Sequence, residues 1–539
     1  MVEFGLLNWS VLIVYLIGNL YLGFRLSKRV ASAEDFFLGQ RNIPWWAIGI
    51  SVVATYVSAL SFLGGPAWSY SESLAVVLIH INYPIVIFLV VTYFLPFFFN
   101  SRVASIYEYQ ERRFGPASRS VMAAIFLVSQ ALTSAAILYA TALVLQFITG
   151  TDVATAIVVV TLIALIYTVM GGIAAVIWTD VVQALVLLVG AGIIIFGVLA
   201  ELPDSLGDTL RNLSAQGKLT TLEWSVDLTR EATVWTGVIA MTLFHTTVYG
   251  ANQMMVQRTL AAKSLGDAKK SFLLMGYCAF FIYFLFMFLG ILLFAYYEGK
   301  PFENGNTIVL SFAAEYGLPG LMGVIAAAVV AASMSSLDSS LNSMATVSVV
   351  DFYQRYVKAD GSDDHYLKAS RWFTLLWALL IIGPALLYAQ SEGSILQTLS
   401  KVGSYFVGAK LAMFGLGFFS KHTTERGLLV GVVVGFVVIW FVAANTTIAW
   451  PWYCLIGGGV NVVVALGASL LLDGRQERLS EYTVAGQRAR MKASGEPLLE
   501  QGWGLMPGHV DAPSWGLLVF FLFSLGFLAV LEFGFAGAV

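Results

Sequence analysis

Ala332-Ser333-Met334-Ser335-Ser336-Leu337-Asp338-Ser339-Ser340 sits inside an apolar stretch, residues 318–350, long enough to cross a bilayer. Small and hydroxyl side chains replace the Leu and Val expected at such a depth, and one carboxylate, Asp338, stands among them. Ala332, Ser335, Ser336 and Ser339 fall at i, i+3, i+4 and i+7, which is one face of an α-helix. That face offers a backbone carbonyl at Ala332 and hydroxyls at Ser335 and Ser336, the oxygen donors a hard cation takes. It also suits close helix packing, where membrane helices favour Ser and Ala. Both readings require a helix in lipid.

The rest of the chain supplies that lipid context. Of 539 residues, 58% are hydrophobic and 11% charged, and the mean hydropathy is +0.81. A water-soluble domain carries about 25% charged residues, so an ordinary soluble enzyme is excluded. The net charge of −3 says nothing about partners, and no basic run suggests nucleic acid. Cys278 and Cys454 lie in apolar segments, and no disulfide is expected. Met1-Val2-Glu3 has no basic run, so the first apolar segment reads as a retained helix.

Apolar segments near 6–26, 45–70, 73–99, 119–148, 153–171, 176–200, 232–252, 271–297, 318–350, 371–390, 396–419, 427–444, 450–472 and 515–535 read as about fourteen spans. With the N-terminus outside, twenty-three of the 29 Lys and Arg fall in inside loops and four in outside loops. The positive-inside rule therefore puts both termini on the periplasmic side of a bacterial inner (plasma) membrane. The connectors near 201–231 and 473–514 are polar and too short to fold as domains, so residues 1–539 form one polytopic membrane domain.

Three further features carry chemistry. Ala54-Thr55-Tyr56-Val57-Ser58-Ala59-Leu60-Ser61 is small and polar at mid-span and precedes Gly64-Gly65-Pro66. Such a stretch can interrupt its helix and free carbonyls for an ion, or simply kink at Gly and Pro. Asp180 lies just inside the span after Gly171-Gly172, and Asp338 lies deeper. A charge at membrane depth costs at least about 2.5–3.5 kcal/mol, so each should face a cavity, partner or ion. Asp180, near the cytoplasmic edge, also fits a structural hydrogen bond or a helix N-terminal charge.

Four groups of residues resemble the sodium/solute symporter family (the sodium/glucose cotransporter type). They are Ser32-Ala33-Glu34-Asp35-Phe36-Phe37-Leu38-Gly39 with Pro44-Trp45-Trp46, then Gly171 to Gln183 around Trp178-Thr179-Asp180. Asn252-Gln253 with Gln257 to Lys263 follows, and then Ser335-Ser336-Leu337 with Leu341-Asn342-Ser343 and Asp351. The resemblance implies an all-α carrier with a 5+5 inverted-repeat core and broken first and sixth core helices. Its repeats would span 45–200 and 232–419, with a leading helix at 6–26 and C-terminal helices at 427–535. It implies alternating access driven by Na⁺ as coupling ion, with no organic cofactor. One Na⁺ would be held by the carbonyls of Ala54, Val57 and Ala332 and the hydroxyls of Ser335 and Ser336. In some members a second Na⁺ uses positions matching Asp180, Asp338 and Ser339. Asp338 replaces a hydroxyl residue there, and could bind an ion more strongly, or hold a proton or a basic side chain.

The solute is read from polar side chains inside spans: Ser58, Ser61, His80, His245, Asn252 and Lys410. By approximate alignment, the sugar-binding Gln, Glu, Asn and Lys of the sugar branch fall on Ser61, His80, His245 and Ala279, so that set does not carry over. Lys401 lies near a span end and can snorkel; Lys410 lacks that outlet, though a salt bridge to Asp338 would account for it. The balance favours an anionic, carboxylate-type small solute imported with Na⁺, with a sugar or polyol as alternative. A channel or a membrane enzyme is the remote alternative. No His-Glu-x-x-His, nucleophile elbow, P-loop or filter-like segment supports either.

Overall fold

The structure, a computed structural model, describes residues 4–27, 42–101, 103, 105–390, 394–474 and 481–535, without the side chains of 166–172. The Ser32–Gly39 motif, the side chains of Gly171 and Gly172, and the inside-loop residues Lys28, Arg29, Arg41, Arg102, Arg475 and Arg478 lie outside them. The described chain is helical apart from one hairpin, Leu499–Glu500 against Trp503–Gly504. Among the described residues, eleven helices are long and apolar enough to span a membrane, or twelve if one bent pair counts as a span. Two of the fourteen expected positions fall short of that length. Residues 153–165 are an apolar helical stretch shorter than a span needs, and Ile173–Glu201, the next expected position, passes by itself. Thr236–Ala240 and Met241–Gly250 make a short π-then-α segment.

The bent pair is Trp45–Tyr56 with Leu60–Ser71, turned by 53°. The sequence pointed to Gly64-Gly65-Pro66 as one place for a kink, but the helix opens earlier, at Val57-Ser58. The Ser58 carbonyl restarts the hydrogen bonding by accepting from Ser61 N at 3.0 Å and Phe62 N at 3.1 Å. Pro66 opens the following helix, Gly65–Ser71, where its missing N–H costs nothing.

The serine-rich stretch lies on helix Leu321–Val347, which is buried along nearly its whole length. It packs against Val153–Glu201, Pro116–Thr149, Gly5–Ser27 and Trp45–Tyr56. Hydroxyl and carboxylate side chains survive at membrane depth here because protein surrounds them on all sides. Lipid-like exposure falls elsewhere, as on Leu6, Leu471 and Val519.

Ion pairs tie the ends of the bundle. Arg119 joins Glu111 at 2.8 Å and Asp351 at 2.7 Å, and Arg355 also pairs with Glu111. Hydrogen bonds from Arg355 and then Arg119 hold the Glu111 carboxyl below the usual carboxylate range. The 473–514 connector is no loose linker. It holds a helix, Val484–Ser494, and the hairpin, and a buried Lys269–Asp511 pair at 2.6 Å clamps it to helix Leu265–Tyr296.

The second half of the bent pair seats on helix Leu265–Tyr296, where the Ser69 hydroxyl donates to the Met287 carbonyl at 2.6 Å. Gly290 faces this seam. A Cβ there would run into the Pro66 carbonyl and the Ser69 hydroxyl. Gly290→Ala should cost about 1–3 kcal/mol through overpacking, read as a lower unfolding temperature in detergent. Gly526→Ala, with open space around its Cβ, should leave that temperature unchanged.

Candidate cation site and solute cavity

The break and the serine helix meet. The Ser336 hydroxyl donates to the Thr55 carbonyl at 2.9 Å and lies 3.3 Å from the Ala332 carbonyl. The Tyr56 carbonyl, also freed by the break, accepts from the Tyr283 hydroxyl at 3.0 Å. The carbonyls of Ala54 and Val57 accept no hydrogen bond among the described residues. Both residues are buried. Ala54, Val57, Ala332 and Ser336 thus gather around one junction, and Ser335 lies next to it on the same helix.

Ser335 points elsewhere in part. Its hydroxyl donates to Asp180 Oδ1 at 2.5 Å. The other Asp180 oxygen takes the Ser51 hydroxyl and the Arg258 guanidinium, the latter at 3.0 Å. Arg258 continues to the Ser339 hydroxyl at 2.6 Å and to Ser51 at 2.8 Å. Asp180 and Ser339, two of the three residues expected at a second Na⁺, are therefore brought together, and the cation between them is Arg258. Asp338 is buried on the same helix. Sequence reading missed Arg258 as a partner because Asp180 lies 78 residues away. A guanidinium among buried apolar neighbours was the available signal.

A cavity of about 970 Å³, its opening included, adjoins the junction and shares Thr55 and Ser336 with it. All six solute-binding candidates, Ser58, Ser61, His80, His245, Asn252 and Lys410, line it. Lys410 donates to the Ser129 hydroxyl at 2.6 Å and stands 5.8 Å from the Phe126 ring. Among the described residues it forms no ion pair with Asp338, which removes the salt bridge weighed for it. No other Lys, Arg, Asp or Glu among the described residues lines the cavity. One wall is a group of near-parallel rings. His80 stacks on Tyr283 at 3.8 Å between centroids, and Tyr83 on His245 at 4.8 Å. The tyrosines of this wall went unread in the sequence, since a Tyr in an apolar span carries no periodic signal.

Comparison with known proteins agrees with this geometry. Residues 36–435 match the profile of the sodium:solute symporter family. The sodium/sialic acid symporter SiaT of Proteus mirabilis is 29% identical over 489 residues, covering 89% of this chain and 98% of that protein. The sodium/glucose cotransporter of Vibrio parahaemolyticus is 31% identical over 435 residues, covering 75% and 78%. A solved structure of a Na⁺-coupled sialic acid symporter in a substrate-bound outward-open state superposes with a TM-score of 0.81 at 28% identity, over 88% of this chain and 100% of that one. A multi-pass helical protein, with a helix broken against a serine face beside a polar cavity, is thus a member of the sodium:solute symporter family and a Na⁺-coupled carrier.

Proposed function

We propose that this protein imports a small carboxylate-bearing solute of the sugar-acid type, driven by Na⁺ bound at Ala54, Val57, Ala332, Ser335 and Ser336. One observation carries the reading: the cavity that shares Ser336 with the cation junction has Lys410 as its sole Lys or Arg among the described residues. A buried ammonium without a carboxylate partner is costly, and an incoming anion would supply that partner. Similarity to two sodium/sialic acid symporters, at 29% and 28% identity, supports the same class. Similarity to a sodium/glucose cotransporter keeps a neutral sugar as the alternative.

The architecture we attach to this function has fourteen spans, counting the bent pair, residues 153–165 and the short segment 236–250 with the eleven long helices. We read them as a 5+5 core between a leading helix and the C-terminal helices, with both termini periplasmic. Alternating access then moves the two halves of the core about the shared junction.

Energetics bear on stoichiometry. A monoanion entering with one Na⁺ moves no net charge, whereas a second Na⁺ would add about 2.3 kcal/mol per 100 mV. That is nearly 50-fold in accumulation. A second Na⁺ at Asp180, Asp338 and Ser339 would require Arg258 to leave the oxygens it now bonds.

Three measurements follow in proteoliposomes. Ser336→Ala, losing about 1 kcal/mol of ligation, should raise the half-saturating Na⁺ concentration several-fold with the protein still folded. Unchanged Na⁺ dependence in both Ser335→Ala and Ser336→Ala would reject the site. In an uptake panel, sialic acid and other carboxylates should be Na⁺-dependent substrates whose affinity falls in Lys410→Gln; uptake of neutral sugars alone would reject the anion reading. With Arg258 in place, uptake of a monoanion should be electroneutral. One net positive charge per solute would instead show a second Na⁺ entering beside Asp180.

A further inference from the structure

Asn82 lies between the 3₁₀ helix Leu74–His80 and helix Tyr83–Leu89, fully buried behind the ring wall of the cavity. Its amide is spoken for. Nδ2 donates to the Ile79 carbonyl at 2.9 Å and to the Gly237 carbonyl at 3.0 Å, which uses both of its hydrogens. Its Oδ1 can then only accept, and His245 Nδ1 lies 2.7 Å from it. The imidazole must therefore carry its proton on Nδ1. Among the described residues no carboxylate pairs with His245, and an unpaired charge is costly at such a site, so the ring is neutral and Nε2 holds a lone pair. With Nδ1 committed to Asn82, Nε2 is the nitrogen left for anything in the cavity that His245 lines.

We infer that Asn82 is a positioning residue that fixes the His245 tautomer, so that His245 meets the solute as a hydrogen-bond acceptor. The consequence is a polarity across the cavity. A carboxylate only accepts hydrogen bonds and gains nothing at His245 Nε2, while the Lys410 ammonium supplies donors elsewhere on the wall. The solute this arrangement selects carries a carboxylate and, apart from it, an O–H or N–H that donates to His245. Hydroxy- and amido-carboxylates qualify, and simple alkyl carboxylates lack the second group. This deepens the proposed function and rests on its placing of the solute in this cavity.

The test has a spectroscopic arm and a transport arm. Protein labelled with ¹⁵N-histidine, in nanodiscs, is examined by solid-state NMR, with His245→Gln identifying the His245 signals among the five histidines. In the wild type, Nδ1 should carry the proton and Nε2 should be bare. Asn82→Leu should lose that preference. Asn82→Gln, which keeps a neutral amide to accept from Nδ1, should keep it. In transport, Asn82→Leu should raise the KM for sialic acid about tenfold, the loss of roughly one hydrogen bond, with Na⁺ half-saturation unchanged. Asn82→Gln should restore most of the affinity. A proton on Nε2 in the wild type overturns the inference, as does an unshifted KM in a variant whose tautomer has changed. Equal loss in the Leu and Gln variants also overturns it, since that is a structural role. Should sialic acid and other carboxylates not be transported, the proposed function fails in the uptake panel, while the NMR arm still decides the tautomer.

Discussion

The hydrogen bond from the Ser336 hydroxyl to the Thr55 carbonyl, 2.9 Å long, joins the two elements on which the site depends. A helix that opens in mid-membrane leaves carbonyls unsatisfied, each at a cost of several kcal/mol where no water can reach. The protein answers residue by residue. Ser336 takes Thr55 and Tyr283 takes Tyr56. The carbonyls of Ala54 and Val57 accept no hydrogen bond among the described residues. The rest of the packing follows, since a hydroxyl face that must reach the break cannot also face lipid. Helix Leu321–Val347 is accordingly enclosed by other helices of the bundle.

The same contacts link ion and solute. Tyr283 bonds the Tyr56 carbonyl at the break and stacks on His80 in the cavity wall. Ser336 belongs to both the junction and the cavity lining. If Na⁺ sits at the junction and the solute in the cavity, as proposed, a change in how either sits is felt by groups the other one touches. The Asp180–Arg258 cluster buttresses this arrangement from behind. Its ion pair is fully buried, a geometry tolerated only when the remaining donors and acceptors are met, and Ser51, Ser335 and Ser339 meet them.

Much of this was legible in the sequence, and the reason is local. Apolar length, the i, i+3, i+4, i+7 spacing of Ala332, Ser335, Ser336 and Ser339, and the small polar run at 54–61 are properties of single segments. They led to the membrane fold and to the two segments that meet at the helix break. The span count was less secure, because residues 236–250 form too short a helix to pass on length. What escaped was pairing across the chain. Lys410 meets Ser129, 281 residues away, and not Asp338. Arg258 partners Asp180, and Asp511 clamps Lys269 from 242 residues off. Asn82 reaches His245 across 163 residues. Such partners share no periodicity, and a lone polar residue within an apolar run announces that it has a partner without naming it.

Coupling between the two sites can be measured without moving anything across a membrane. Binding of ²²Na⁺ to purified protein, titrated with and without sialic acid, gives one coupling factor, and binding of labelled sialic acid with and without Na⁺ gives the other. If cation and solute share the Ser336 junction, each should tighten the other, and by the same factor, as linkage requires. Sialic acid that binds with one affinity at every Na⁺ concentration would contradict the account.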